Sequence, residues 1–353
     1  MDVIQEGRDH VVLKENGVLN AYSSDYPGSY DCDDAWNLEK FKQKFRVDII
    51  TYSETEMEFD LIGIHAALVN AFRRLLLSEV TILIIILFCL FLFICTFDNQ
   101  IIWVGPVPSM AIEKVFIYNN TTIIQDEVLA HRLGLLPLKA DPRLFEYRQP
   151  DDKEGTEQDT LEFELKIKCT TDPNAPKNST NPDDLYKNQK VYPWLPIGGQ
   201  GDIYKEEEVG PVSDDILVCK MRPGHELDLK LHAVKGIGKD HAKFSPVATT
   251  FYRLLPQLRL TRDVVGEQAE RLQKYMLDWT KVAKVNDARY DTCSRNVYRY
   301  DDLKDAIELT RVRDHFIFTI ESVGALPPDV LFIETLKLLK TKCRAYLDEL
   351  NHA

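Results

Sequence analysis

No two of the seven cysteines (Cys32, Cys89, Cys95, Cys169, Cys219, Cys293 and Cys343) form a C-x-x-C pair, and their number is odd. That spacing excludes a disulfide-stapled small domain and a zinc ribbon. It makes a reducing compartment the expectation. Basic residues are short as well: 43 Lys+Arg stand against 56 Asp+Glu, a net charge of −13. So acidic a surface grips phosphate poorly, which argues against a stand-alone nucleic-acid binder and favours protein partners or solubility. The N-terminus is polar, so no signal peptide is expected. There is no G-x-S-x-G elbow, no cysteine–histidine nucleophile signature and no internal repeat. What is present is ordinary globular material: 353 residues, 44% hydrophobic and 28% charged, enough for about two domains.

One segment departs from that average. Ile82 to Phe97 contains 13 Ile, Leu or Phe in 16 residues, interrupted only by Cys89, Cys95 and Thr96. Such residues insert favourably into a bilayer, which gives a membrane span as one reading. Length opposes it, because 16 residues rise roughly 24 Å against a hydrocarbon core of about 30 Å. A buried strand, a buried helix or a stretch foreign to the fold are the other readings.

Periodicity places the remaining elements. Met1 to Lys44 is polar and speckled with aromatics, which predicts an irregular arm. Phe45, Val47 and Ile49, then Met57, Phe59 and Leu61, alternate with polar residues as in half-buried strands. His65, Leu68, Val69, Phe72, Leu75 and Leu76 make one apolar helix face, with Asn70, Arg73 and Arg74 on the other. Strands are predicted at Ala111–Tyr118, Leu161–Ile167, Ile216–Met221, Leu227–Ala233 and His315–Val323. Short helices are predicted at Gln125–Leu133 and Pro246–Leu255. Thr170–Pro211 reads as a surface excursion, and Asp263–Leu309 as a charged, helical stretch. Pro327-Pro328-Asp329 opens a final helix. On it Phe332, Leu336, Leu339, Cys343, Tyr346 and Leu350 are spaced 4, 3, 4, 3, 4, the stripe of a helix packed along another helix or facing a core.

Chemistry-bearing clusters are few. Gly236-Ile237-Gly238-Lys239 lacks the full phosphate-loop spacing and reads as a glycine turn. His225, His232 and His241 have no carboxylate or cysteine at ligand spacing. Asp31, Asp33 and Asp34 lie in the arm, where a preorganised magnesium site is not expected. The N-x-[ST] sequons at Asn119, Asn120 and Asn178 mean nothing without secretion. No catalytic, cofactor or metal residue is assigned.

Three stretches carry a resemblance. Leu68 to Ser78 (LVNAFRRLLLS) resembles the first helix of the alpha subunit of multisubunit RNA polymerases. Ile124 to Leu138 (IQDEVLAHRLGLLPL) resembles the eukaryotic and archaeal alpha-like subunits. Gly236 to Thr249 (GIGKDHAKFSPVAT) is most similar to the larger alpha-like subunit shared by nuclear RNA polymerases I and III. The polymerase II counterpart differs in this last stretch and carries a cysteine-rich zinc loop, where this chain offers only Cys169 and Cys219. The resemblance spans roughly residues 40–353.

It implies an α+β fold with a split dimerisation domain, 45–80 plus 312–353, into which a mixed, mainly β second domain, 108–311, is inserted. Residues 1–44 form the arm. The implied function is a non-catalytic assembly subunit of DNA-directed RNA polymerases I and III, in the nucleus and nucleolus. It would pair with the smaller alpha-like subunit through Leu68, Val69, Phe72, Leu75 and Leu76 and through Phe332, Leu336, Leu339, Cys343, Tyr346 and Leu350. Arg73 and Arg74 would contact the second-largest subunit. Catalysis would reside in the two largest subunits, and DNA would be met only through the assembled enzyme. No cofactor and no membrane are implied.

One departure stands out. The family runs from a helix ending like Ser78-Glu79-Val80 almost directly into Pro108-Ser109-Met110. Here Thr81–Val107, 27 residues with the whole apolar run, are interposed. A membrane span there would place two halves of one domain on opposite sides of a bilayer. The preferred reading is an insertion peculiar to this chain, of the kind a translated intron or a faulty gene model leaves. Two rival functions follow from the leftovers: a single-pass membrane protein using Ile82–Phe97, and a phosphate-handling enzyme using Gly236–Lys239.

Overall fold

A computed structural model describes residues 9–20, 37–77, 106–148, 155–170, 194–205, 209–213, 215–269 and 288–352. In chain order the elements are β1 (His10–Lys14), β2 (Gly17–Leu19), α1 (Leu38–Lys44), β3 (Arg46–Tyr52), β4 (Glu56–Ile62), α2 (Ala66–Leu77), β5 (Pro108–Asn120), α3 (Asp126–Gly134), β6 (Leu138–Lys139) and β7 (Thr160–Lys168). There follow β8 (Trp194–Leu195), α4 (Gln200–Ile203), β9 (Gly210–Pro211), β10 (Glu226–Ile237), β11 (Val247–Leu260), β12 (Ile307–Ser322) and α5 (Pro328–His352). The chain divides into two compact units. One comprises 1–52, 57–71 and 251–319; the other comprises 53–56, 72–250 and 320–353.

The first unit is built on a six-stranded sheet ordered β2-β1-β12-β4-β3, with β11 also paired to β12. Two readings change here. The predicted irregular arm supplies β1, which pairs antiparallel to β12 with Val12 opposite Thr310. The predicted helix at 246–255 is the start of strand β11. Val247, Phe251 and Leu255 mimic helical spacing, but Val247, Thr249, Thr250, Phe251 and Tyr252 are β-branched or aromatic, and that preference prevails on a pleated surface. Phe59 and Phe318 pack at 5.3 Å, and Tyr252 meets Phe316 edge-on at 5.7 Å. A second apolar cluster joins Leu13, Leu258, Val297 and Leu309, and the Tyr298 hydroxyl within it donates to the Leu13 carbonyl at 2.7 Å.

An ionic cluster lies within this unit. Arg289 Nη1 and Nη2 donate to Asp60 Oδ2 and Oδ1 at 2.9 and 2.8 Å. Its Nε and Nη2 donate to Glu58 Oε1 at 2.9 and 2.7 Å, and His315 Nε2 lies 2.9 Å from Asp60 Oδ2. Burial alone would raise the Asp60 carboxyl. The hydrogen bonds and charges of Arg289 and His315 outweigh it and hold the group below its ordinary value.

The second unit holds a four-stranded antiparallel sheet, β5-β10-β7-β8. Leu161, Phe163 and Leu165 of β7 and Leu227, Leu229, Leu231 and Ala233 of β10 face one core with Leu129 and Leu133 of α3. Their alternate neighbours form cross-strand ion pairs on the opposite face: Lys166–Asp228 at 3.0 Å, Lys230–Glu162 at 2.7 Å, and Lys168–Glu226. The predicted strand at 216–221 is irregular, held where Arg132 Nη2 donates to the Leu217 carbonyl at 2.8 Å. Val107 is 1% exposed, and its N–H donates to the Leu75 carbonyl in the last turn of α2 at 3.3 Å. The apolar run Ile82–Phe97 lies outside the described residues.

Two expected outcomes follow. Arg289→Ala strands the buried Asp60 and the half-buried Glu58 and is expected to cost about 3–5 kcal/mol, read as a lowered urea midpoint. Asp60 is depressed from 3.8, so its contribution is present above that pH and fades as pH falls below it. The gap between wild type and variant should therefore narrow in acid. An added Cβ at Gly236 would stand 2.6 Å from the Phe244 ring. Gly236→Val should therefore lower the melting temperature, at an overpacking cost of about 1–3 kcal/mol.

Candidate protein–protein interface

Helix α5 starts where proline dictates: Pro327 precedes it, Pro328 opens it, and the Leu331 N–H donates to the Pro327 carbonyl at 3.1 Å. The turn from β12 needs Gly324 at φ +107°, with its N–H donating to Ser322 Oγ at 3.0 Å. No glycine or proline interrupts the helix after Pro328, so its 25 residues run about 37 Å.

Its inner face is closed off. Leu331 and Thr335 are fully buried. Thr335 returns its hydroxyl to the Leu331 carbonyl at 2.9 Å. Phe332 is half-buried and meets Phe72 of α2 edge-on, ring centres 5.4 Å apart. Glu334 takes Lys337 Nζ at 2.7 Å and lies 3.7 Å from Arg143. The outer face is open: Ile333 is 48% exposed, Leu336 40%, Leu347 58% and Leu350 72%, and Cys343 is exposed.

The residues expected at the interface therefore fall into three groups. Val69, Phe72, Leu75 and Leu76 are buried in the chain itself. Phe332, Leu339 and Tyr346 are half-buried, while Leu68, Leu336, Cys343 and Leu350 are exposed. A helical stripe in sequence shows only that a face is apolar; here the chain's own interior takes part of it. Arg73 and Arg74 are half-buried. Burial pushes the Lys342 ammonium down to about 8, and the charge of Arg74 adds to the effect.

The other clusters have structural roles. His225 Nδ1 accepts from the Arg222 N–H and His241 Nδ1 from the Lys243 N–H, each closing a turn. His232 is buried beside Phe116 and is pushed below its ordinary value by burial. Among the described residues no three His, Cys, Asp or Glu are grouped to hold a metal. Gly236, the last residue but one of β10, sets its α-carbon against the Phe244 ring, so that backbone packs on an aromatic side chain. Asn120 Nδ2 donates to the Ile124 carbonyl at 2.9 Å and to Asp126 Oδ1 at 2.7 Å, which ties the sequon to the start of α3. Asp31, Asp33, Asp34 and Asn178 lie outside the described residues. A cleft of about 370 Å³ lined by Pro142, Tyr147, Lys235 and Leu338 carries Lys235 Nζ, which is spent on the Phe145 carbonyl at 2.8 Å. The Arg289 cluster escapes sequence reading, because it joins positions 229 and 231 residues apart with no local spacing to mark them.

Burial separates two kinds of apolar residue by experiment. Phe72→Ala should cost the chain about 3–5 kcal/mol in denaturant unfolding. Leu350→Ala should leave it within about 0.5 kcal/mol.

The family model of the RNA polymerase Rpb3/Rpb11 dimerisation domain matches residues 58–343. The mouse DNA-directed RNA polymerases I and III subunit RPAC1 is 50% identical over 362 aligned residues, covering 99% of this chain and 97% of that protein. The human RPAC1 is 49% identical with the same coverage, and that of Saccharomyces cerevisiae is 43% identical over 94% of this chain and 96% of its own length. The chain therefore belongs to the RNA polymerase Rpb3/Rpb11 dimerisation-domain family.

Proposed function

We propose that this chain is the non-catalytic assembly subunit of DNA-directed RNA polymerases I and III, and that it works as half of a heterodimer with the smaller alpha-like subunit. The observation that carries the reading is near-complete coverage at 43–50% identity by proteins of that name. The open apolar face of α5 supports it, since four large side chains at 40–72% exposure need a cover. The heterodimer is the platform for the second-largest and largest subunits, which carry the nucleotidyl transfer. DNA is reached only through that assembly, as the acidic balance of the chain allows. The site of action is the nucleus, with the nucleolus for polymerase I. Among the described residues no helix is long and apolar enough to cross a membrane.

Within this reading the partner meets Leu68 of α2 and the outer face of α5. Val69, Phe72, Leu75 and Leu76 are buried in the chain itself and hold α2 in place. Arg73 and Arg74 contact the second-largest subunit, where the planar guanidinium suits an inter-subunit pair. Thr81–Val107 is an insertion peculiar to this chain. Its last residue, Val107, sits against the end of α2, the element from which the interposed stretch departs.

Three measurements test this. A tagged chain should extract from nuclei with salt and bring down the smaller alpha-like subunit and both large subunits; a requirement for detergent would sink the reading. Arg73→Ala with Arg74→Ala should keep the heterodimer and reduce its capture of the second-largest subunit; an unchanged yield of that subunit would remove the assignment. Deleting Thr81–Val107 should raise soluble heterodimer per cell, because an apolar, uncharged run is prone to aggregate when exposed. A deleted form that fails to fold beside a full-length form that assembles would make the segment part of the fold.

A further inference from the structure

The open face of α5 has a cation in the middle of its apolar seam. Ile333, Leu336, Lys340, Cys343, Leu347 and Leu350 are spaced 3, 4, 3, 4, 3. At 3.6 residues per turn they fall within a stripe about 100° wide. All six are exposed, unlike the neighbouring stripe through Phe332, Leu339 and Tyr346, which is half-buried. Lys340 has no ion-pair partner among the described residues, whereas Lys337 on the rim is paired with Glu334. Arg344 stands on the same rim, so the middle of the seam is basic.

A lone lysine in an otherwise apolar helix seam lowers the stability of pairing and selects the partner. Covered by an all-apolar helix, its ammonium would lose water and gain nothing. Covered by a second copy of α5, it would put two lysines into one seam, with Lys337 and Arg344 of both copies close by. Covered by a helix that presents a carboxylate, it gains a charge-assisted hydrogen bond where solvent is excluded.

We propose that Lys340 is a specificity-determining residue of the heterodimer: it meets a carboxylate on the apolar helix face of the smaller alpha-like subunit and bars this chain from pairing with itself. The proposal rests on the heterodimer reading above and adds which face pairs, what the partner presents and why the pair is mixed. It uses the repulsive element that selective interfaces need beside the attractive one.

The test uses the full chain, co-expressed with a tagged smaller alpha-like partner and, separately, with a differently tagged copy of itself. Lys340→Glu should lower recovery with the smaller partner at least tenfold while the helical circular dichroism stays unchanged. Lys340→Leu, which leaves the partner's carboxylate covered and unpaired, should also lower that recovery, though less than Lys340→Glu, and should gain capture of its own copy, which the wild-type chain lacks. Wild-type recovery by Lys340→Glu, or no self-capture by Lys340→Leu, overturns the proposal. Leu347→Asp separates the two readings. If the wild-type chain captures the smaller partner and Leu347→Asp captures it equally, the heterodimer stands and this seam is not its surface. If the wild-type chain captures none, both readings fall.

Discussion

Strand β12 must have its backbone paired along 16 residues and its side chains covered on both faces. Phe316, Ile317, Phe318, Thr319 and Ile320 are all buried in succession, a run that a sheet with one solvated face would break by alternation. Meeting the backbone requirement takes β1, β4 and β11, drawn from near both ends of the sequence. Meeting the side-chain requirement takes Phe59 and Tyr252. The N-terminal hairpin is ordered for this reason, and so is the placement of β11. Where β12 ends, Ser322, Gly324 and Pro327 turn the chain directly into α5. The helix that carries the open apolar face therefore follows directly on this strand.

The same demand explains which elements are legible in sequence. β4, β7, β10, α2, α3 and α5 each show one periodicity, because each sets apolar side chains on one face and mostly polar ones on the other. β11 imitates a helix in sequence because it is long and its outward positions are part apolar: Phe251 is 45% exposed and Tyr252 half-buried. Alternation is then lost, and only residue preference remains to distinguish the states. The segment at 216–221 shows the converse. It alternates like a strand, but it is held by Arg132 on the Leu217 carbonyl and by Val218 in the core, and has no neighbouring strand to pair with among the described residues. The Arg289 cluster is invisible in sequence for a third reason: charge pairing across more than two hundred residues leaves no local pattern.

The candidate interface is legible in part. A stripe spaced 4, 3, 4, 3 reports that a helix face is apolar and is silent on what covers it. In α2 the cover is the chain's own interior. In α5 the stripe straddles a boundary: Phe332, Leu339 and Tyr346 lean inward, and Leu336, Cys343 and Leu350 point out. Rotating the reading by one position, to Ile333, Lys340 and Leu347, brings in the one charge that an apolar seam should not contain. The chain's own core makes no demand on an exposed position such as 340. A helix that must select one partner has a use for the lysine.

The end of α2 shows how the fold can carry a long interposed stretch. Val107 donates its N–H to the Leu75 carbonyl and buries its side chain beside the helix end. Counting from Leu77 as the last helical residue, Leu75 is the third from the end. The N–H that closes a helix by a 6→1 bond to that carbonyl belongs to the residue five further on. In this chain that residue is Val80, and with Thr81–Val107 removed Val80 would stand directly before Pro108, as Val107 does now. The same side chain and the same following proline are thus offered twice. The short route requires a left-handed residue at Glu79, at a cost of about 1–2 kcal/mol. Burial of the valine, worth about 1.5–3 kcal/mol, covers that cost. Removing Thr81–Val107 would therefore offer Val80 to the helix end where Val107 now sits.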